Sequence, residues 1–212
     1  MKLYHFPFSP NSRRVLAVAF HLGIDLELEE VDLTKGEHLR PSFIKLNPNH
    51  KIPTLVDGDF VLWESAAIML YLSGMKPGNT LWSDQPRVQA DIYRWLFWNV
   101  ANWGPACGFF IFEHLVKKFT HQGPPDPGEL EKGNLQVQRF ATVLDNHLQG
   151  REWLVGNNVT LADYAVGAVL ELAEAAHMPV EPYRNIRRWY GNIEKLEAWK
   201  KSAPANFIKT AG

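Results

Sequence analysis

Residues 2–23, KLYHFPFSPNSRRVLAVAFHLG, carry the reading of the fold. A short apolar run, Leu3 to Phe6, reads as a strand, and Pro10 to Leu22 reads as a helix with Val15, Val18, Ala19 and Leu22 on one face. Ser9-Pro10 is a helix start: serine caps, proline fits the first turn, and the unpaired amides point at any anion that arrives. Ser9 and Ser12 stand at the spacing of a dithiol motif but carry hydroxyls. Dithiol redox chemistry is therefore excluded at this turn, and holding another molecule's sulfur is not.

Working outward, Leu26 to Val31 reads as a second strand, which completes a β-α-β unit. A polar stretch from Asp32 to Pro48 holds a short helical piece at Pro41 to Leu46. The runs Thr54 to Val56 and Phe60 to Trp63, joined by Asp57-Gly58-Asp59, form a hairpin, and Ser65 opens a helix through Leu72. Residues 1–75 are thus β-α-β followed by β-β-α. Gly74, Pro77, Gly78 and Asn79 mark a linker over residues 76–84. Residues 85–212 read as an all-helical domain, with helices expected over Gln85–Phe119, Glu129–Leu148, Leu161–Ala176 and Tyr183–Lys201. Gly104-Pro105 is expected to kink or break the first of these.

Composition narrows the partners. The 212 residues are 46% hydrophobic with a formal charge of −1, and basic residues run no longer than pairs such as Arg13-Arg14. Nucleic acid and membrane surfaces are not expected partners. The sole cysteine, Cys107, allows no internal disulfide and suits a small buried hydrophobe, and no signal or spanning segment is evident, so a cytoplasmic setting is expected. No two of the eight histidines lie three to five residues apart, and no metal site is expected.

At Val159-Thr160-Leu161-Ala162-Asp163-Tyr164 the pattern is a capping box with a hydrophobic staple. Its role is structural, and Asp163→Ala is expected to cost roughly 0.5 to 2 kcal/mol.

Three ordered motifs, Phe6-Pro7-Phe8-Ser9-Pro10-Asn11-Ser12-Arg13, Asn47-Pro48-Asn49-His50-Lys51-Ile52-Pro53-Thr54-Leu55 and Leu62-Trp63-Glu64-Ser65-Ala66-Ala67-Ile68, together resemble the cytosolic glutathione transferase superfamily. The first turn is similar to the serine-type theta, delta and phi groups, and Pro-Asn after the hydroxyl is also similar to a bacterial class that uses threonine and asparagine. The resemblance implies a thioredoxin-like amino-terminal domain that binds glutathione and an all-α carboxyl-terminal domain that contributes a pocket for a hydrophobic electrophile. It also implies a homodimer.

The same resemblance distributes roles. Ser9, with Asn11 as a second donor and Ser12 as the alternate hydroxyl, would hold the thiolate. Ile52, before a cis Pro53, would pair its main chain with the cysteinyl part of the tripeptide. Glu64 and Ser65 would hold the γ-glutamyl group, and His38, His50 and Lys51 the glycyl carboxylate. Several relatives carry arginine after this serine, whereas here Ala66 removes a second clamp. Phe8, Trp103, Phe110 and Phe207 are the candidates for the electrophile pocket. Glutathione-dependent peroxide or disulfide reduction would use the same sulfur, and a non-catalytic transferase-like binding or scaffold protein is the alternative from a different class.

Overall fold

The computed structural model describes residues 1–207, which group into two compact units: residues 1–79 with the segment from Lys195 onward, and residues 80–194. Composition places a boundary at 76–84 and assigns the remainder to one helical domain. By packing, the last segment instead joins the first unit.

In the first unit, β1 (Lys2–His5), α1 (Pro10–Leu22), β2 (Glu27–Glu30), α2 (Pro41–Leu46), β3 (Thr54–Asp57), β4 (Phe60–Trp63) and α3 (Ser65–Gly74) follow in order. The four strands form one sheet in the order β2-β1-β3-β4, with β1 parallel to β2 and the other pairs antiparallel. Alternation along the strands covers both faces. Leu3 and Leu55 are register partners and fully buried, while Tyr4 packs on the cluster of Val31, Phe43 and Ile52. Helix α1 has Ser9 as its cap, Pro10 in its first turn and Gly23 in the left-handed conformation at its end, and it packs against α3.

The second unit is helical. Helix α4 (Pro86–Trp98), a π-helical turn at Asn99–Trp103, α5 (Gly104–Ile111), a second π-helical turn at Phe112–Val116 and α6 (Lys117–Thr120) run on without interruption. Of the kink or break expected at Gly104-Pro105, the break is absent. The π turn just before Pro105 absorbs the lost amide, and a side chain at Gly104 would meet the Asn99 carbonyl oxygen at 2.9 Å.

Helix α7 (Pro127–His147) starts two residues earlier than the pattern suggests, because Asp126 caps it through the Gly128 and Glu129 amides. Helix α8 (Leu161–Gly167) tightens into a 3-10 segment over Ala168–Leu172. The last expected helix divides into α9 (Arg184–Lys195) and α10 (Glu197–Lys201) at Leu196, whose backbone is extended, and α10 packs on α1. Among the described residues no helix is long and apolar enough to cross a membrane.

The carboxylate of Asp163 is fully buried and accepts from the amides of Leu154 (2.9 Å) and Thr160 (2.8 Å), the Thr160 hydroxyl (3.0 Å) and the Trp189 indole (2.8 Å). The capping box is therefore also the hub joining the 150s loop, α8 and α9. A cost of 0.5 to 2 kcal/mol, reckoned for a cap alone, is too small.

Candidate active site

Strand register brings the three motifs together. Tyr4 of β1 faces Thr54 of β3, and Thr54 faces Trp63 of β4. Chain direction then puts the turn after β1, the Ile52-Pro53 segment before β3 and Glu64-Ser65 after β4 at one end of the sheet. With neighbouring strands about 4.8 Å apart, this row spans roughly 10 Å, about the length of three extended residues.

The turn after β1 is locked by its own groups. The Ser9 amide donates to the Phe6 carbonyl (3.0 Å), the Ser12 amide donates to Ser9 Oγ (3.3 Å), and the Phe6 amide donates to Ser12 Oγ (3.2 Å). Ser9 Oγ therefore acts as an acceptor toward the helix and keeps its own proton to give. Ser9 is 9% exposed, whereas Ser12 has no exposed surface, and Asn11 is exposed. Ser12 thus faces inward as a brace of the turn. The first turn of α1 holds no acidic side chain. Buried Arg13 and Arg14 follow, and desolvation brings the Arg14 guanidinium down to about 10.

A buried amide organises the second segment. Asn47 Nδ2 donates to the Lys51 carbonyl (2.7 Å) and to Thr54 Oγ1 (3.1 Å), while its Oδ1 accepts from the Asn49 amide (3.0 Å). The Ile52–Pro53 bond is cis, the Ile52 side chain sits in the Val31–Phe43 cluster, and its main-chain groups make no hydrogen bond among the described residues. An unpaired edge is the condition for pairing with an extended peptide. In the sequence Asn47 is marked only by the Asn-Pro pair that precedes the loop, and its bracing role follows from its hydrogen bonds.

Lys51 is exposed, and His50 is held at a φ of 56°. His38 carries a buried Nδ1 without a partner, and burial, followed by the proximity of His50, lowers its pKa. The two imidazoles, from different loops, therefore share one neighbourhood.

Glu64 adopts a φ of 72° and a ψ of 113°, a conformation that costs a non-glycine residue about 1 to 3 kcal/mol. Its carbonyl accepts the Ile68 amide at 3.0 Å, and no side chain caps α3. The leading amides of α3 and the largely buried Ser65 hydroxyl are left to meet a carboxylate.

The aromatic candidates separate by exposure. Phe8 is 49% exposed with its ring 5.7 Å from that of Phe6, and Phe207 lies against His5 (5.7 Å) and Phe20 (6.4 Å). Trp103 has no exposed surface, and its indole donates to the Val166 carbonyl at 3.1 Å. Phe110 is buried beside Gly133 in the second unit. Both of these side chains are spent on helix packing. Among the described residues no group of three or more His, Cys, Asp or Glu side chains is placed to hold a metal.

Comparison with known proteins agrees with this fold. Residues 1–74 match the glutathione S-transferase N-terminal domain, and residues 110–197 match the glutathione S-transferase C-terminal domain. Glutathione transferase F7 from Populus trichocarpa is 26% identical, with a TM-score of 0.88 over 98% of this chain and 99% of that one. A delta-class glutathione transferase of Nilaparvata lugens is 32% identical, with a TM-score of 0.82 over 97% of this chain and 93% of its own. The structure of a glutathione S-transferase III in apo form is also 32% identical, with a TM-score of 0.85 over 100% and 99%. Both domain matches and two near-complete relatives above the level of chance likeness lead to one conclusion: this chain belongs to the glutathione S-transferase family.

Proposed function

We propose that the protein binds glutathione on its first unit, stabilises its thiolate with a hydrogen bond from the Ser9 hydroxyl while the thiol proton leaves to solvent, and conjugates the sulfur to a hydrophobic electrophile. The observation that carries this reading is the direction of the Ser9 hydrogen bond. Because Ser9 Oγ accepts the Ser12 amide, its proton remains available to an anion at the amino end of α1. A free thiol with a pKa of about 8.5 is only a few per cent ionised at neutral pH. A hydrogen bond to a charged acceptor contributes about 1.5 to 3 kcal/mol and the helix end about 0.3 to 1, which together lower that pKa by roughly one to three units.

The remaining groups divide the tripeptide among them. The free main chain of Ile52 pairs with the cysteinyl residue, the uncapped start of α3 with Glu64 and Ser65 holds the γ-glutamyl end, and His38, His50 and Lys51 receive the glycyl carboxylate. Asn11 is the second donor to the sulfur. Phe8 and Phe207, which retain accessible ring surface, are the first candidates for contact with the electrophile, ahead of the enclosed Trp103 and Phe110. Assembly as a homodimer and a cytoplasmic setting are inferred from the family alone.

Ser9→Ala tests the assignment. It is expected to reduce kcat at least tenfold while changing glutathione affinity less than threefold, and to abolish most of the thiolate ultraviolet band of bound glutathione at neutral pH. Full activity and an unchanged band in this variant would move the role to Asn11 or Ser12.

A further inference from the structure

The segment after Leu196 is attached to both sides of the Ser9 turn. On the α1 side, Arg13 Nε donates to Ser202 Oγ (3.3 Å), Arg13 Nη2 donates to the Trp199 carbonyl (3.2 Å), and the guanidinium carbon stands 3.9 Å from the centre of the Trp199 ring. On the β1 side, Phe207 meets His5 edge-on at 5.7 Å, and its ring also stacks on Phe20 of α1 at 6.4 Å. His5 closes β1 immediately before the turn, and Arg13 lies one residue beyond it. The segment is itself rigidly tied: Ser202 Oγ donates to the Trp199 carbonyl (2.8 Å), and Asn206 Nδ2 donates to the carbonyls of Lys200 and Lys201 (3.0 Å each).

We propose that residues 197–207 form a strap that sets where the Ser9 hydroxyl sits, with Arg13 as the positioning residue that transmits it. The inference rests on Ser9 being the donor to the glutathione sulfur. Transmission is short. The Arg13 amide donates to the Ser9 carbonyl at 2.9 Å, so whatever fixes the Arg13 side chain fixes the first turn of α1 and the cap that opens it. Arg13 is 6% exposed and its guanidinium is turned to the strap, so it acts through Ser9 and not on the substrate. Small displacements matter here, since a misplacement of about 1 Å in a catalytic group costs as much as about a hundredfold in rate.

The test is the pKa of the thiol of bound glutathione, read from its ultraviolet thiolate band against pH, in the full chain. Arg13→Lys keeps the charge and loses the planar fork and the stacking on Trp199. It is expected to raise that pKa by about 0.5 to 1 unit and lower kcat about three- to tenfold, with KM for glutathione within about twofold. Trp199→Phe, which keeps a ring face and the main-chain carbonyl, is expected to retain the parent value. Ser202→Ala removes the Oγ bonds to Arg13 Nε and to the Trp199 carbonyl but leaves the Arg13 Nη2 bond and the stacking on Trp199, and is expected to shift the pKa in the same direction by a smaller amount, which keeps the proposal open to refutation if Arg13→Lys does not fold.

Each change is repeated in the Ser9→Ala background, where the strap variants are expected to add no further shift. An unchanged pKa in the folded Arg13→Lys and Ser202→Ala proteins overturns the strap. So does an equal shift in both backgrounds, which would assign Arg13 a direct electrostatic role. If Ser9→Ala alone leaves the pKa in place, the donor assignment fails first, and is recognised as the separate failure.

Discussion

Replacing Asp163 tests how the second unit is held together. Its carboxylate accepts four donors inside a fully buried site, and three of them, the Leu154 amide, the Thr160 amide and the Trp189 indole, have fixed directions. Asp163→Ala strands all three, and the Thr160 hydroxyl alone can turn to another acceptor. At about 1 to 3 kcal/mol for each stranded donor, less the cost of burying a carboxylate that is no longer present, the net loss is roughly 3 to 5 kcal/mol. In a chain of this size that lowers Tm by roughly 6 to 20 °C.

Asp163→Asn keeps the oxygen that serves Leu154 and Trp189 and opposes its amide to the Thr160 amide, so it is expected to fall between. The pH dependence carries a sign. Burial outweighs the four donors and raises the Asp163 pKa above 3.8, so the part of its contribution that is linked to ionisation is full below that value and is lost as pH rises through the folded pKa, while the loss from the stranded donors remains. Calorimetric melting of the three proteins between pH 3.5 and 7 checks both statements. A melting point for Asp163→Ala within about 2 °C of the parent, or a change in glutathione affinity without a change in melting, would refute the reasoning.

Glu113, which accepts from the Asp126 amide (2.5 Å) and Lys117 Nζ (2.6 Å), has its pKa lowered mainly by the Asp126 amide. Its contribution is present above the ordinary value of 4.5 and lost as pH falls through the lowered one, so Glu113→Gln is expected to flatten the acid limb of a Tm-against-pH curve. A β-carbon at Gly133 would stand 2.6 Å from Phe109 Cβ, close to backbone, whereas one at Gly167 would stand 2.6 Å from the terminal Cδ1 of Ile193. Gly133→Ala is therefore expected to destabilise by about 1 to 3 kcal/mol and Gly167→Ala by less, an order that urea unfolding of the two variants checks.

Local chemistry was legible in the chain. Ser9-Pro10 and Gly23 bracket α1 as written, the turn Asp57-Gly58-Asp59 joins β3 to β4, and the family resemblance supplied the cis bond before Pro53. What depended on side-chain direction was not legible. Ser9 and Ser12 are equivalent as letters, and only the closed turn shows one at the surface edge and the other inside it. Trp103 was one of several aromatics on a helix whose phase the π turns alter, so its burial could not be read from spacing. The return of residues beyond 195 to the first unit depends on the extended residue Leu196 and on Arg13, a partner more than 180 positions away, which no window of sequence contains.

The two π turns act as phase shifters along the helix from Pro86 to Thr120. Each wide turn inserts one residue into an otherwise regular spiral, which rotates every later side chain by about 100° relative to the earlier ones. A family member one residue shorter at 99–103 or 112–116 would keep its helix intact and present a different set of aromatics to its interior. At these two places a single-residue gap in an alignment is a change of lining and not a change of loop.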